Sequence, residues 1–166
     1  MGDIRRLIAF DLDGTLVDSR RDLADSANEL IEELGGRVLS EEAIGRFVGE
    51  GARVLVARTL SAAGLGHDAA VVLPHFLEIY DRRLLNHTTP YGGILELLPV
   101  ARRHARLAVL TNKPKGPSEK ILGAFGMREF FDDVVGGDGP LPRKPDPAGL
   151  LSLMELAGTT ADATLM

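Results

Sequence analysis

The chain has 166 residues, 45% of them hydrophobic, with 19 Lys+Arg against 24 Asp+Glu and a net charge of −5. That length suits one domain, or a core with an insertion, and can bury about 70% of its unfolded surface without a disulfide or structural metal. The absence of cysteine excludes disulfide scaffolds, thiolate zinc and iron–sulfur sites and cysteine nucleophiles, and the interspersed charges offer no basic patch for nucleic acid or an anionic membrane.

In chain order, Leu7-Ile8-Ala9-Phe10 is a short continuous apolar run ending in the polar turn Asp11-Leu12-Asp13-Gly14-Thr15. Apolar on both faces, it reads as a central strand of a parallel sheet. Leu23, Ala27, Leu30, Ile31 and Leu34 then follow a helical period, with Asp18 or Ser19 as the cap before and Gly35 after. Val72, Phe76, Ile79, Tyr80 and Leu84 form a second stripe, with Pro74 near its first turns or kinking it. Ile94, Leu97, Leu98 and Ala101 form a third, interrupted by Pro99. A second strand, Leu107–Leu110, ends in Thr111-Asn112, and residues 133–137 are a weaker third strand. Ile121, Leu122 and Phe125 before Gly126, and Leu150, Met154 and Ala157 before Gly158, complete the helices. No apolar run approaches the ~20 residues of a membrane span, so a cytoplasmic protein is expected.

One strand is thus followed by some seventy residues of helical signal, and strand–helix alternation resumes near residue 90. Alternation of that kind implies a parallel α/β sheet. The stretch 16–87 reads as a helical insertion directly after the first strand, where ligands of open α/β sheets bind and where it would serve as a lid.

The chemistry concentrates at the strand ends. In an extended segment residues i and i+2 point the same way, so Asp11 and Asp13 can face one spot. Two like charges so close separate in proton affinity, which distinguishes a nucleophile from a proton donor. Gly14 permits a sharp turn there. An Asp-Gly pair alone would be an ordinary hairpin turn. The full Asp-x-Asp-Gly-Thr after a buried-type strand favours function. Thr111 and Asn112 can hydrogen-bond a phosphoryl oxygen, and Lys144, in Arg143-Lys144-Pro145-Asp146-Pro147, sits on a proline-stiffened loop from which an ammonium can balance the carboxylates. Gly49-Glu50-Gly51-Ala52-Arg53 opens a further helical stretch, and Arg53 is either a partner for a substrate carboxylate or a solvated side chain. His67, His75, His87 and His104 lack paired metal-ligand spacing and read as surface or insertion residues.

Asp11 to Ser19, Leu110 to Pro114, and Gly136-Gly137-Asp138 with Arg143 to Pro147 resemble the haloacid dehalogenase superfamily. Within it, the chain is most similar to the bacterial phosphoglycolate phosphatase group. The resemblance covers essentially the whole chain, including Pro90-Tyr91-Gly92-Gly93, where the chain would return from insertion to core. It implies an α/β fold with a Rossmann-like parallel-sheet core, residues 1–15 plus 88–166, and an all-helical cap, 16–87. It also implies a Mg²⁺-dependent phosphatase of a small phosphorylated metabolite, 2-phosphoglycolate first among candidates, acting as a monomer or homodimer. On that resemblance Asp11 is the nucleophile that forms an aspartyl-phosphate, and Asp13 protonates the leaving alkoxide and then activates water. Thr111 and Asn112 bind the phosphoryl group, Lys144 neutralises charge, and Mg²⁺ is held by the Asp11 carboxylate and the Asp13 carbonyl. An acid at position 13 favours phosphoryl transfer over halide displacement.

The family's pattern continues with a strand and a Gly-Asp-x-x-x-Asp motif that completes the metal site, and this sequence does not contain it. The core is therefore expected to be truncated at its C-terminus, with Mg²⁺ held loosely at a cost of roughly 10³-fold in rate. The first strand is expected to have an open edge. Two other readings use the same residues: a receiver-like phospho-accepting signalling domain, and a catalytically silent fragment that binds phosphate esters. Receivers run their βα units without interruption, which the long helical insertion does not permit.

Overall fold

The first strand sets the rest of the core. The computed structural model describes residues 6–166. Residues 1–5, which the sequence reading assigns to the core, lie outside the described residues. The elements run β1 (Leu7–Phe10), β2 (Val17–Asp18), α1 (Arg20–Glu33), α2 (Glu41–Gly45), α3 (Ala52–Ala62) and α4 (Ala69–Arg83). They continue with β3 (Thr89–Pro90), α5 (Ile94–Arg102), β4 (Arg106–Leu110), α6 (Lys115–Ala124), β5 (Asp133–Val135), α7 (Ala148–Ala157) and β6 (Thr164–Leu165). Two compact units result: the described residues up to Val17 with Pro90–Met166, and Asp18–Thr89.

In the first unit the strands lie in the order β5-β4-β1-β6, and every pairing is parallel. β1 is central, as its two-sided apolar character requires. Leu7 and Ala9 face one side, where they join Ala108, Leu110, Leu153 and Ala157 in a buried cluster beneath α7. Phe10, of opposite parity, meets Phe131 edge-on with ring centroids 5.9 Å apart.

Three expectations change here. The C-terminal residues form β6, which pairs Thr164 with Leu7 and Leu165 with Ile8, so the β1 edge is covered along half its length rather than left open. The pairing stops two residues short of Phe10. In α5, Leu98 and Ala101 are buried but Leu97 is 46% exposed, so the helix presents a narrower apolar face than the stripe suggested. The stretch read as strand-free also contains β2, which pairs with β3 where the chain passes between units.

In the second unit α1 packs against α2, α3 and α4, and α3 against α4. Leu30, Ile31, Ile44, Leu60, Phe76 and Ile79 are fully enclosed, and Phe76 stacks on Tyr80. Ser19 stands at the start of α1 without a side-chain cap; the Asp18 carboxylate accepts the Arg20 N–H and guanidinium instead, which holds its carboxyl below the usual range. Pro74 lies inside α4. Among the described residues no helix is long and apolar enough to cross a membrane.

Ion pairs fasten α1 to α4: Glu29 binds Arg82 and Arg83, and His75 binds Glu33 while lying near Glu78. The Glu33 carboxylate, and secondarily Glu78, raises the His75 pKa above the ordinary 6.5. A raised imidazole pKa contributes stability that is fully present below the unfolded value and is lost as pH rises through the folded one. Proton NMR titration should place the His75 midpoint above 6.5 and show it falling toward that value in Glu33→Gln; a midpoint that does not move would exclude this pairing.

Candidate active site

β1 delivers Asp11 at its C-terminal end, and the next six residues fold back tightly. The Leu12 carbonyl accepts the N–H groups of Leu16 at 2.9 Å and Val17 at 3.1 Å, and Gly14 donates to the Val17 carbonyl at 2.9 Å. Gly14 has φ +81°, a left-handed conformation that favours glycine. Leu12, Leu16 and Val17 are completely buried, while Asp11 and Asp13 on either side of Leu12 retain access to solvent. The alternation expected from extended backbone is therefore kept through the turn.

Each carboxylate is met by its own ammonium. Lys144 Nζ lies 2.9 Å from Asp11 Oδ2, and Lys113 Nζ lies 3.0 Å from both oxygens of Asp13. The Lys113 and Asp13 side chains are only 4% and 12% exposed. Charges that far from water persist only when paired. Asp11, at 35%, is the more open acid, and its Oδ1 accepts the Leu12 N–H at 2.8 Å.

Parallel pairing of β4 with β1 brings Thr111 and Asn112 to the same sheet edge. Both are buried. The Thr111 hydroxyl accepts the Lys113 N–H at 3.2 Å. The Asn112 carboxamide spans to Lys144, accepting its N–H at 2.9 Å and donating to its carbonyl at 3.1 Å. The loop after β5 is fastened to the same stretch. Gly137 donates to the Lys113 carbonyl at 2.8 Å, and Asp138 Oδ1 accepts the Lys115 N–H at the start of α6. A Cβ on Gly137 would sit 2.3 Å from the Asn112 carbonyl oxygen, so only glycine allows the two main chains this close.

The first unit thus gathers Asp11, Asp13, Thr111, Asn112 and Lys144. Arg53 lies in the first turn of α3, exposed, in the helical unit. That unit also brings Asp22, Asp25 and His87 within 4.8 Å of one another, although the histidine spacing showed no such pattern. The Asp22 carboxylate there binds the His87 and Thr88 N–H groups and the Thr88 hydroxyl.

Residues 8–166 match the model of the haloacid dehalogenase-like hydrolase family. The chain belongs to that family. It is 44% identical to a phosphoglycolate phosphatase of Rhodospirillum rubrum, over 97% of this chain and 70% of that protein. It is 38% identical to a phosphoglycolate phosphatase of Pseudomonas putida, over 99% of this chain and 62% of its length. This hydrolase therefore spans between three-fifths and seven-tenths of these two relatives. A crystal structure described as a predicted phosphoglycolate phosphatase from Haemophilus somnus superposes with a TM-score of 0.91 at 31% identity, covering 99% of this chain and 76% of that one.

Within the hydrolase, Lys113 is the site residue that sequence reasoning left without a role. It stands in Thr111-Asn112-Lys113-Pro114, three residues past a strand end, which was the available signal. Its burial follows from pairing with Asp13 across 100 residues, which local sequence does not encode.

Proposed function

We propose that this chain is a Mg²⁺-dependent phosphatase of a small phosphorylated metabolite, with 2-phosphoglycolate the first substrate to test. The observation that carries the reading is the pair of carboxylates at the end of β1, each held against a lysine from a different segment. The pairing cancels the charge of both acids, and Lys144, at 17% exposure, keeps an ammonium within reach of an anionic ester although the chain as a whole is at −5. The similarity to relatives named phosphoglycolate phosphatase supports the choice of substrate.

In this reading Asp13 takes up a proton as the ester binds; an Asp11 carboxylate oxygen then attacks phosphorus as the ester P–O bond breaks, and Asp13 passes that proton to the departing alkoxide. Water then attacks the aspartyl-phosphate, Asp13 takes its proton, and inorganic phosphate leaves with the Asp11 carboxylate restored. Lys144 neutralises charge on the transferring group, Thr111 offers its hydroxyl to a phosphoryl oxygen, and Lys113 holds the Asp13 carboxylate in place. Positioning and electrostatics of this kind supply most of the catalysis where the transition state is loose. The donors at hand are hard oxygens, with no thiol in the chain, which suits Mg²⁺. The Asp11 carboxylate and Asp13 carbonyl would hold the ion, and when bound it adds neutralising charge at the phosphoryl group.

Phosphate release from 2-phosphoglycolate, hexose phosphates and p-nitrophenyl phosphate tests this. Release that stops with EDTA, returns with Mg²⁺ and is fastest for 2-phosphoglycolate is expected. No release from any ester at millimolar concentration with Mg²⁺ present would overturn it.

A further inference from the structure

Asn112 presents a planar carboxamide that bonds a single residue 32 positions away through both of its heteroatoms. Its oxygen accepts the Lys144 N–H at 2.9 Å and its nitrogen donates to the Lys144 carbonyl at 3.1 Å. Bonds to both main-chain polar groups of one residue fix that residue's position and orientation together. From there the Lys144 side chain reaches Asp11 Oδ2 at 2.9 Å. Other ties from the end of β4 engage Gly137 and Asp138: Gly137 binds the Lys113 carbonyl and Asp138 binds Lys115, while Arg143 Nε donates to the Gly137 carbonyl at 2.6 Å within the loop after β5. Asn112 is 6% exposed, so water competes poorly for its bonds.

We propose that Asn112 is a positioning residue that acts on the reaction through Lys144: its carboxamide sets the main chain from which the lysine ammonium meets the Asp11 carboxylate. The inference rests on the phosphatase reading for its kinetic consequence and on hydrogen bonding alone for its structural one. It differs from a role in which the Asn112 side chain holds phosphate directly. A direct phosphate ligand and Lys144 would contribute separately, whereas a positioning residue loses its purpose once the lysine is gone.

Two measurements on the full chain test it. The first is a double-mutant cycle in p-nitrophenyl phosphate hydrolysis. Asn112→Ala should lower kcat/KM by about 10²-fold, the cost of misplacing a charged group by about an ångström. In a Lys144→Ala background the same substitution should change kcat/KM by less than about twofold. Losses that multiply in the double variant would overturn the proposal. The second measurement is amide hydrogen exchange, which needs no turnover. In Asn112→Ala the Lys144 amide should exchange about tenfold faster or more, with the Val109 amide in β4 unchanged. An unchanged Lys144 rate would equally overturn the proposal. Absence of turnover in the parent chain would count against the phosphatase reading, and the exchange result would then decide the role of Asn112 by itself.

Discussion

Asp11→Asn is expected to lower phosphate release by about 10⁴-fold or more while leaving the fold in place. The carboxamide has nearly the shape of the carboxylate, and its oxygen can still accept the Leu12 N–H that Asp11 Oδ1 accepts at 2.8 Å. What it lacks is the anionic oxygen that the proposed mechanism directs at phosphorus. Lys144 also loses the charge it faces at 2.9 Å. Asp11 is 35% exposed, so that pair is well screened and its loss should cost less than about 1 kcal/mol of stability. The expected signature is therefore a large kinetic loss with an almost unmoved thermal transition. Acid-quenched labelling with ³²P-phosphate ester should mark the parent protein and leave the variant unlabelled. A variant that kept more than about one-hundredth of the parent rate would remove the aspartyl-phosphate from the mechanism.

The parts of this site that could be read from sequence share a property: their surroundings are local. Asp11 and Asp13 lie at the end of a strand whose two-sided apolar pattern already marks it as central, and the Asp-x-Asp-Gly-Thr run specifies its own turn through Gly14. Thr111 directly follows β4, the strand paired beside it. The parallel core, with β4 beside β1 and β5 beyond β4, follows from the same alternation. What could not be read depends on residues far apart in the chain. Lys113 looks like any solvated lysine until β4 pairs with β1 and carries it to Asp13. Asn112 carries no mark showing that its carboxamide binds the main chain of Lys144. Leu97 fits a helical stripe, yet packing decides which side of that stripe the sheet covers. The two-residue β6 is too short to show any period.

The helical unit holds the same kind of hidden dependence, with a larger energetic consequence. Asp22→Ala is expected to destabilise that unit by about 2–4 kcal/mol, because Asp22 is a fully buried carboxylate and its partner Thr88 is buried with it, although His87 is exposed. Its oxygens accept the His87 N–H at 3.0 Å, the Thr88 N–H at 2.8 Å and the Thr88 hydroxyl at 2.8 Å. From sequence Asp22 looks like one more acid in the first turn of α1, where any carboxylate gains a few tenths of a kcal/mol from the helix dipole. Its partners, 65 and 66 residues away, make it the anchor between the start of α1 and the segment after α4. Alanine there strands two amides and a hydroxyl at about 1–3 kcal/mol each, less whatever water can enter the gap. Against the 5–15 kcal/mol typical of a folded domain, that is a large share. Asp22→Asn should fall between parent and alanine, since one carboxamide oxygen can serve part of the set while its N–H groups oppose the other donors. Urea denaturation followed by far-ultraviolet circular dichroism reads the difference as a lowered midpoint with the slope retained. If alanine at this position cost less than about 1 kcal/mol, the amides of His87 and Thr88 would have to find other acceptors, and the anchoring role would belong to the apolar contacts between α1 and α4 instead.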